Sequence, residues 1–236
     1  MGLPTGIVAF LDILGYKQMV EKDSGLSGPV FLPIIENILG QLKPMLSKEG
    51  LQLKQFSDSV VLSINYSVLN TIRLINAVSD VQWFMTTSGI LIRGGIAIGR
   101  HYSNGDIVYS QGLIEAYLLE SQNARVPRVL VDSNLLELII GTAVPEVKIE
   151  EQLKKLLAID TDKRSFVNYL LGRDVKQHEC IIRKLLQNVD VTKPGLFEKY
   201  NWLTQYHNFI MKVHGLPLVD FGLPKISSWS SQGFDF

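Results

Sequence analysis

Cysteine is almost missing from this chain: one residue, Cys180, in 236. A lone cysteine forms no internal disulfide and no cysteine metal site, so the expected compartment is a reducing cytoplasm. An excess of charge of one sign is also lacking, with 23 basic and 23 acidic residues. That argues against a general nucleic-acid binder, which would show a basic excess or a basic face. No apolar run approaches the roughly 18 residues that span a bilayer. The first such run begins at Ile7 without a basic region before it, and Asp12 interrupts it, so no signal peptide is expected. There is no Walker A loop, Ser-His-Asp arrangement, dinucleotide fingerprint, internal repeat or low-complexity segment. His101, His178, His207 and His214 show no metal-ligand spacing. These absences leave a soluble globular protein with an ordinary balance, 46% hydrophobic and 19% charged.

The periodicities predict an ordered series of elements. Gly6 to Leu14 reads as a buried strand carrying one acid, and Val30 to Lys48 as a helix after a loop around Gly25 to Pro29. Leu51 to Phe56 and Ser59 to Ile64 are β-rich runs separated by Ser57 and Asp58, the pattern of a tight hairpin. Val68 to Thr87 is helical, with Leu69, Ile72, Ile75, Val78 and Val81 on one face. Ile90 to Gly99 reads as a strand whose glycines admit a close neighbour. Gly112 to Asn123 is read as a helix, Arg128 to Val131 as a strand and Asn134 to Ile140 as a short helix. Leu156 to Ile159 and Ser165 to Leu170 bracket a polar turn in a last hairpin. The order β-α-β-β-α-β-α-β plus a hairpin implies an α+β fold, a mixed sheet with helices on one face and a ferredoxin-like core. Residues 1–172 are expected to form this unit. Residues 173–236 are expected to be a helical extension packed on it, with helices over Asp174 to Val189 and Lys193 to Val213 and irregular coil after Gly215. Trp202, Tyr206, Phe209 and Ile210 recur at helical spacing and read as core.

Two acids stand out against this pattern. Asp12 sits inside an apolar strand, where an ionised carboxylate is costly unless a cation or hydrogen bonds compensate it. Asp58 sits at the hairpin turn, where an aspartate by itself is most often a turn former. On neighbouring strands the two would converge at one end of the sheet, as a two-metal site for phosphoryl transfer requires. Gly15 reads either as part of an anion cradle or as an ordinary strand-to-helix turn. The turn holding Asp160, Asp162, Lys163 and Arg164 reads as a solvated hairpin tip, with a phosphate contact as the minor reading.

Phe10 to Tyr16 (FLDILGY) resembles the F-x-D-I-x-G-F signature of class III nucleotidyl cyclases. Lys54 to Asp58 (KQFSD) is similar to their K-x-x-G-D hairpin, with Ser57 in place of glycine. Arg93 to Gly99 (RGGIAIG) resembles their R-x-G-I-x-x-G strand, and the helix ending Ala116 to Glu120 (AYLLE) their V-N-x-A-x-R-L-E helix. The set covers about residues 7 to 132 in the family's order. The resemblance implies Asp12 and Asp58 as catalytic metal ligands, with the Ile13 carbonyl as a further ligand of Mn2+ or Mg2+. It implies backbone N–H groups of Leu14, Gly15 and Tyr16 around the triphosphate, and Lys54 at the position of a base-reading lysine in purine cyclases. A solvated lysine on a hairpin strand is the alternative for Lys54.

Aligned on Glu120, the family's ribose-orienting asparagine falls on Ile114 and its transition-state arginine on Leu118. The replacement cation would be Arg100, Arg125 or Arg128, with Arg100 the expected one. The variant pieces, together with Val126 to Val129 and Lys199 to Leu203, are similar to bacterial pyrimidine cyclases of Pycsar antiphage systems and extend the resemblance to about residue 210. That implies a homodimer with sites at the interface, conversion of UTP or CTP to a cyclic nucleotide that activates a separate effector, and no nucleic-acid or membrane partner. A purine cyclase, and a catalytically degenerate nucleotide-binding module, are the other readings.

Overall fold

The computed structural model describes residues 2–25, 28–104, 107–142 and 149–223. The chain runs β1 (Thr5–Ile13), α1 (Tyr16–Gly25), α2 (Phe31–Lys48), β2 (Gln52–Phe56), β3 (Ser59–Asn65), α3 (Val68–Thr87) and β4 (Ile92–Ser103). It continues through β5 (Val108–Ser110), α4 (Gln111–Asn123), β6 (Val129–Val131), α5 (Ser133–Thr142) and α6 (Ile149–Leu156). It ends with β7 (Leu157–Ile159), β8 (Ser165–Val167), α7 (Val175–Gln187) and α8 (Pro194–Val213). The expected strands and helices are present, and α1, β5 and α6 are additional. Residues 216–223 are irregular, and the rest of the expected coil lies outside the described residues, as do residues 26 and 27 of the expected loop.

The fold is α+β with an open mixed sheet in the order β2-β3-β1-β4-β6-β8-β7, and β5 pairs with the far end of β4. The central strand β1 is antiparallel to both β3 and β4, whereas β4 and β6 are parallel. Strand alternation sorts β1 between two faces. Ile7, Ala9, Leu11 and Ile13 join the main core with α2 and α3, and Val8 and Phe10 pack against Ala116 of α4 on the other side.

The placement of α4 corrects the expectation of helices on one face. Gly95 and Gly99 make the difference: a Cβ on Gly95 would lie 2.4 Å from the Ala116 carbonyl, and one on Gly99 would lie 2.5 Å from the Gly112 nitrogen. Without side chains there, α4 rests its backbone directly on β4. A period count sees glycine in a strand but not which face it opens.

Local chemistry marks the helix starts. The Asp23 carboxylate accepts from the Val30, Phe31 and Leu32 N–H groups and so begins α2, while Ser67, Ser110 and Asp174 cap α3, α4 and α7. Along α3, Ile75, Val78 and Val81 are buried as expected, but Leu69 in the first turn is exposed. On α8, Tyr206 and Ile210 pack with Phe166, Tyr169 and Leu170, and Trp202 lies partly buried against them. Phe209 points outward, against expectation. No helix of the described residues is long and apolar enough to cross a membrane.

Candidate active site

The β1–β3 register places Asp12 opposite Ser59, the residue that follows Asp58. The Ile13 N–H donates to the Asp58 carbonyl at 2.9 Å, so the hairpin turn is fastened to the end of β1. The two acids singled out in the sequence therefore share one end of the sheet. The turn itself carries Ser57 at φ 53°, a left-handed conformation that disfavours any residue with a Cβ by roughly 1–2 kcal/mol.

Two further charges complete this end. Arg93 on β4 lies directly opposite Asp12, and its Nε–H donates to Asp12 Oδ2 at 2.9 Å. The same Nε is 2.7 Å from Glu120 Oε1, which is buried and accepts no hydrogen bond among the described residues. We take the pair as an ion contact without a directed hydrogen bond, because the single Nε–H is committed to Asp12. Arg93 also donates to the Ala124 carbonyl at 3.3 Å.

The electrostatics follow from crowding. Burial raises the Asp12 carboxyl above its usual range; Arg93 opposes this and the Asp58 charge adds to it. Glu120, 2% exposed, is pushed up to about 7 by burial, with Arg93 opposing and Asp12 and Asp58 reinforcing the shift. From α8, Lys199 contributes a positive charge toward Asp12, and its own ammonium is pushed down by burial and by Arg93. Three carboxylates thus face one guanidinium, whose Nε–H is committed to Asp12, and one lysine. Hard oxygen donors short of positive charge are the donor type that magnesium and manganese take, but among the described residues no three such side chains lie close enough together to hold one metal ion. The resemblance in sequence would assign such an ion to Asp12, Asp58 and the Ile13 carbonyl.

Beyond Asp12, the chain turns at Gly15 with φ 80° and enters α1 at Tyr16. The Leu14 N–H is not available as an anion donor, because it donates to the Leu91 carbonyl at 2.9 Å. This corrects the expected cradle: the β1–β4 ladder continues one residue past β1, leaving the Gly15 and Tyr16 amides. Lys54 on β2 donates from Nζ to the Asn104 carbonyl at the β4–β5 connection.

Arg100 does not reach this end. It pairs in register with Thr5 at the opposite end of β1, seven residues from Asp12, about 23 Å at roughly 3.3 Å per residue. Its guanidinium donates to the Leu3 carbonyl at 2.9 Å and to Thr5 Oγ1 at 3.3 Å. Arg128, another candidate, is clamped by Asp160 and Asp162, and Arg125 is exposed beside it. Thr161 to Arg164 are exposed, as expected of a solvated tip, and Arg128 in addition ties the turn to the core. On α4, Ile114 and Leu118 are 58% and 38% exposed and offer no polar atom.

Sequence reasoning missed Arg93, Glu120 and Lys199 as members of the site. Glu120 had a usable signal: it continues the buried Gly112–Ala116 face of α4 at i+4 spacing, where an acid has no place unless it meets a cation.

No family model matches the chain, and no curated protein matches it. Among solved structures, the chain is similar to the guanylate cyclase domain of RhGC from Catenaria anguillulae, at 12% identity, covering 71% of this chain and 97% of that one, with TM-score 0.48. It is also similar to the adenylyl cyclase CyaB from P. aeruginosa, at 17% identity, 59% and 82% coverage and TM-score 0.40. A bacterial light-regulated adenylyl cyclase matches at 14% identity, 78% and 100% coverage and TM-score 0.43.

Proposed function

We propose that this chain is a nucleotidyl cyclase that converts a pyrimidine nucleoside triphosphate, UTP ahead of CTP, to its 3′,5′-cyclic monophosphate and pyrophosphate. The observation that carries the reading is the convergence of Asp12 and Asp58 beside the Gly15 turn, with the Ile13 N–H joined to the Asp58 carbonyl. In the reaction the ribose 3′-oxygen forms a bond to the α-phosphorus, the α–β bridging P–O bond breaks, pyrophosphate leaves with the bonding pair, and the hydroxyl proton passes to solvent. Bound magnesium or manganese supplies charge neutralisation at the phosphates and acidifies the attacking hydroxyl. Asp12 and Asp58 hold the cation through their carboxylates, and the Gly15 and Tyr16 amides face the phosphates. Lys54, anchored at Asn104, lies on the strand where a base contact would come from.

The homodimer reading draws support from the outer side of α4. Ile114, Tyr117 and Leu118 are exposed there, and Tyr109 is exposed on β5 just before the helix, apolar side chains suited to a second copy. Residues 1–172 form the catalytic unit in this reading and residues 173–236 its extension, acting in the cytoplasm. The pyrimidine preference rests on Ile114, which cannot orient a ribose as the purine enzymes' asparagine does, and on the motif variants shared with the Pycsar cyclases. The same variants connect the product to a separate antiphage effector.

Incubation of the protein with each of the four nucleoside triphosphates and manganese, with products identified by mass, tests the reading. Cyclic UMP or cyclic CMP is expected; preferential cyclisation of ATP reassigns the base. Inactivity with all four favours the binding-module reading, to which the apolar Ile114 and Leu118 also point.

A further inference from the structure

A cavity of about 620 Å3 lies against the Gly15 turn, bounded by α1 on one side and by the end of α7 and the start of α8 on the other. Its size is that of a small-ligand site. Three lysines line it: Lys22 of α1, Lys193 at the start of α8, and Lys199 one and a half turns further along α8. Leu91 and Tyr200 supply an apolar wall, and no aspartate or glutamate is among the lining residues. None of the three lysines makes an ion pair among the described residues; Lys22 only lies over the Phe31 ring, 5.5 Å from its centre.

A concavity lined by one sign of charge concentrates counter-ions. Lys199 is the member that joins this cavity to the carboxylates. It is half-buried, its charge is felt at Asp12, and it faces the repulsion of Arg93. Arg93 is held by Asp12 and Glu120 and has no Nε donor left for a phosphate. On α4 the exposed positions Ile114 and Leu118 give no cation either. The positive charge that lines the cavity at this end comes from Lys193 and Lys199 of the C-terminal helices and from Lys22 of α1.

We infer that α8 supplies Lys199, with Lys193 and Lys22 beside it, as the cationic wall that binds the β- and γ-phosphates of the nucleotide and receives the leaving pyrophosphate. The inference rests on the triphosphate reading of the Asp12–Asp58 end. It gives the C-terminal extension a direct part in substrate binding, beyond packing.

Calorimetric titration of inorganic triphosphate into the full chain in magnesium buffer tests it. The wild type is expected to bind. Lys199→Gln should weaken binding by about tenfold or more, the scale of one charge-assisted hydrogen bond, while Lys199→Arg stays within about threefold. Lys22→Gln and Lys193→Gln, at exposed positions, should each cost about two- to fivefold. Absence of wild-type binding, or wild-type affinity in a folded Lys199→Gln protein, overturns the inference. If Lys199→Gln melts early, Lys193→Gln decides, and unchanged affinity there overturns the wall. Cyclase assays on the same samples keep the two claims apart. Cyclic product together with triphosphate affinity indifferent to Lys199 sinks the wall and leaves the cyclase. Triphosphate binding that depends on Lys199, without cyclic product from any nucleotide, sinks the cyclase and leaves the wall.

Discussion

Two arginines in this protein each meet two carboxylates, with opposite results. Arg128, 6% exposed, uses both terminal nitrogens: one donates to Asp160 and to Asp162 Oδ1 at 3.1 Å, the other to Asp162 Oδ2 at 2.6 Å. The acids have further donors, since Trp202 Nε1–H donates to Asp160 at 2.7 Å and the Thr161 and Arg164 N–H groups close the turn. Asp162 is accordingly held below the usual carboxylate range, first by its hydrogen bond from Arg128. Around Arg93 the same chemistry is left short. One Nε–H serves Asp12, Glu120 Oε1 accepts nothing, and burial raises both carboxyls. The Arg128 clamp satisfies both of its acids, although Arg128 Nε is itself buried without a partner among the described residues, whereas the carboxylates around Arg93 are crowded and under-compensated, the condition in which functional groups are found.

The sharpest break of this comparison is in activity. Asp12→Asn or Asp58→Asn is expected to abolish metal-dependent cyclisation, a loss of several orders of magnitude, while far-ultraviolet dichroism stays native. Activity near wild type in either variant removes the site assignment.

Next in size is stability. Arg128→Met strands two acids at the clamp and should cost about 3 kcal/mol by denaturant titration. Wild-type stability in this variant would show that the Asp160–Asp162 turn holds without its arginine.

The two clusters should also answer pH in opposite senses. Glu120 has a folded-state pKa near 7, above its unfolded value of 4.5, so between these limits the folded chain binds more protons than the unfolded one. Its contribution therefore makes stability fall as pH rises through that window. In metal-free buffer, Glu120→Gln should make the slope of unfolding free energy against pH less negative there. Asp162 is shifted down, so its contribution is present above the unfolded value of 3.8 and lost as pH falls through the lower folded value. A slope unaltered by Glu120→Gln contradicts the crowding around Arg93. The smallest effect concerns Trp202→Phe, which keeps the ring and removes the donor to Asp160, for about 1 kcal/mol by thermal melting.

Much of this site was legible because its chemistry is local in sequence. Asp12 in an apolar run, Asp58 between two β-rich runs and Gly15 before a helix each break a pattern, and adjacent strands bring them together. The pairing of Arg93 with Glu120 was harder to see, since 27 residues separate them and only the packing of α4 on β4 brings them together. Arg100 shows the limit of reading by proximity in sequence: it follows the glycine strand closely, yet the antiparallel register sends it to the far end of β1.

What the sequence by itself determined is the order and kind of the elements and the two acids that interrupt them, because side-chain period and turn chemistry are properties of short stretches. Only the tertiary structure decided that α4 crosses to the second face, that the Leu14 amide is consumed by Leu91, and that Lys199 of the last helix looks onto the Gly15 turn. Those outcomes depend on strand register and on where a missing Cβ lets one backbone approach another, and both are set by contacts between residues distant in the chain.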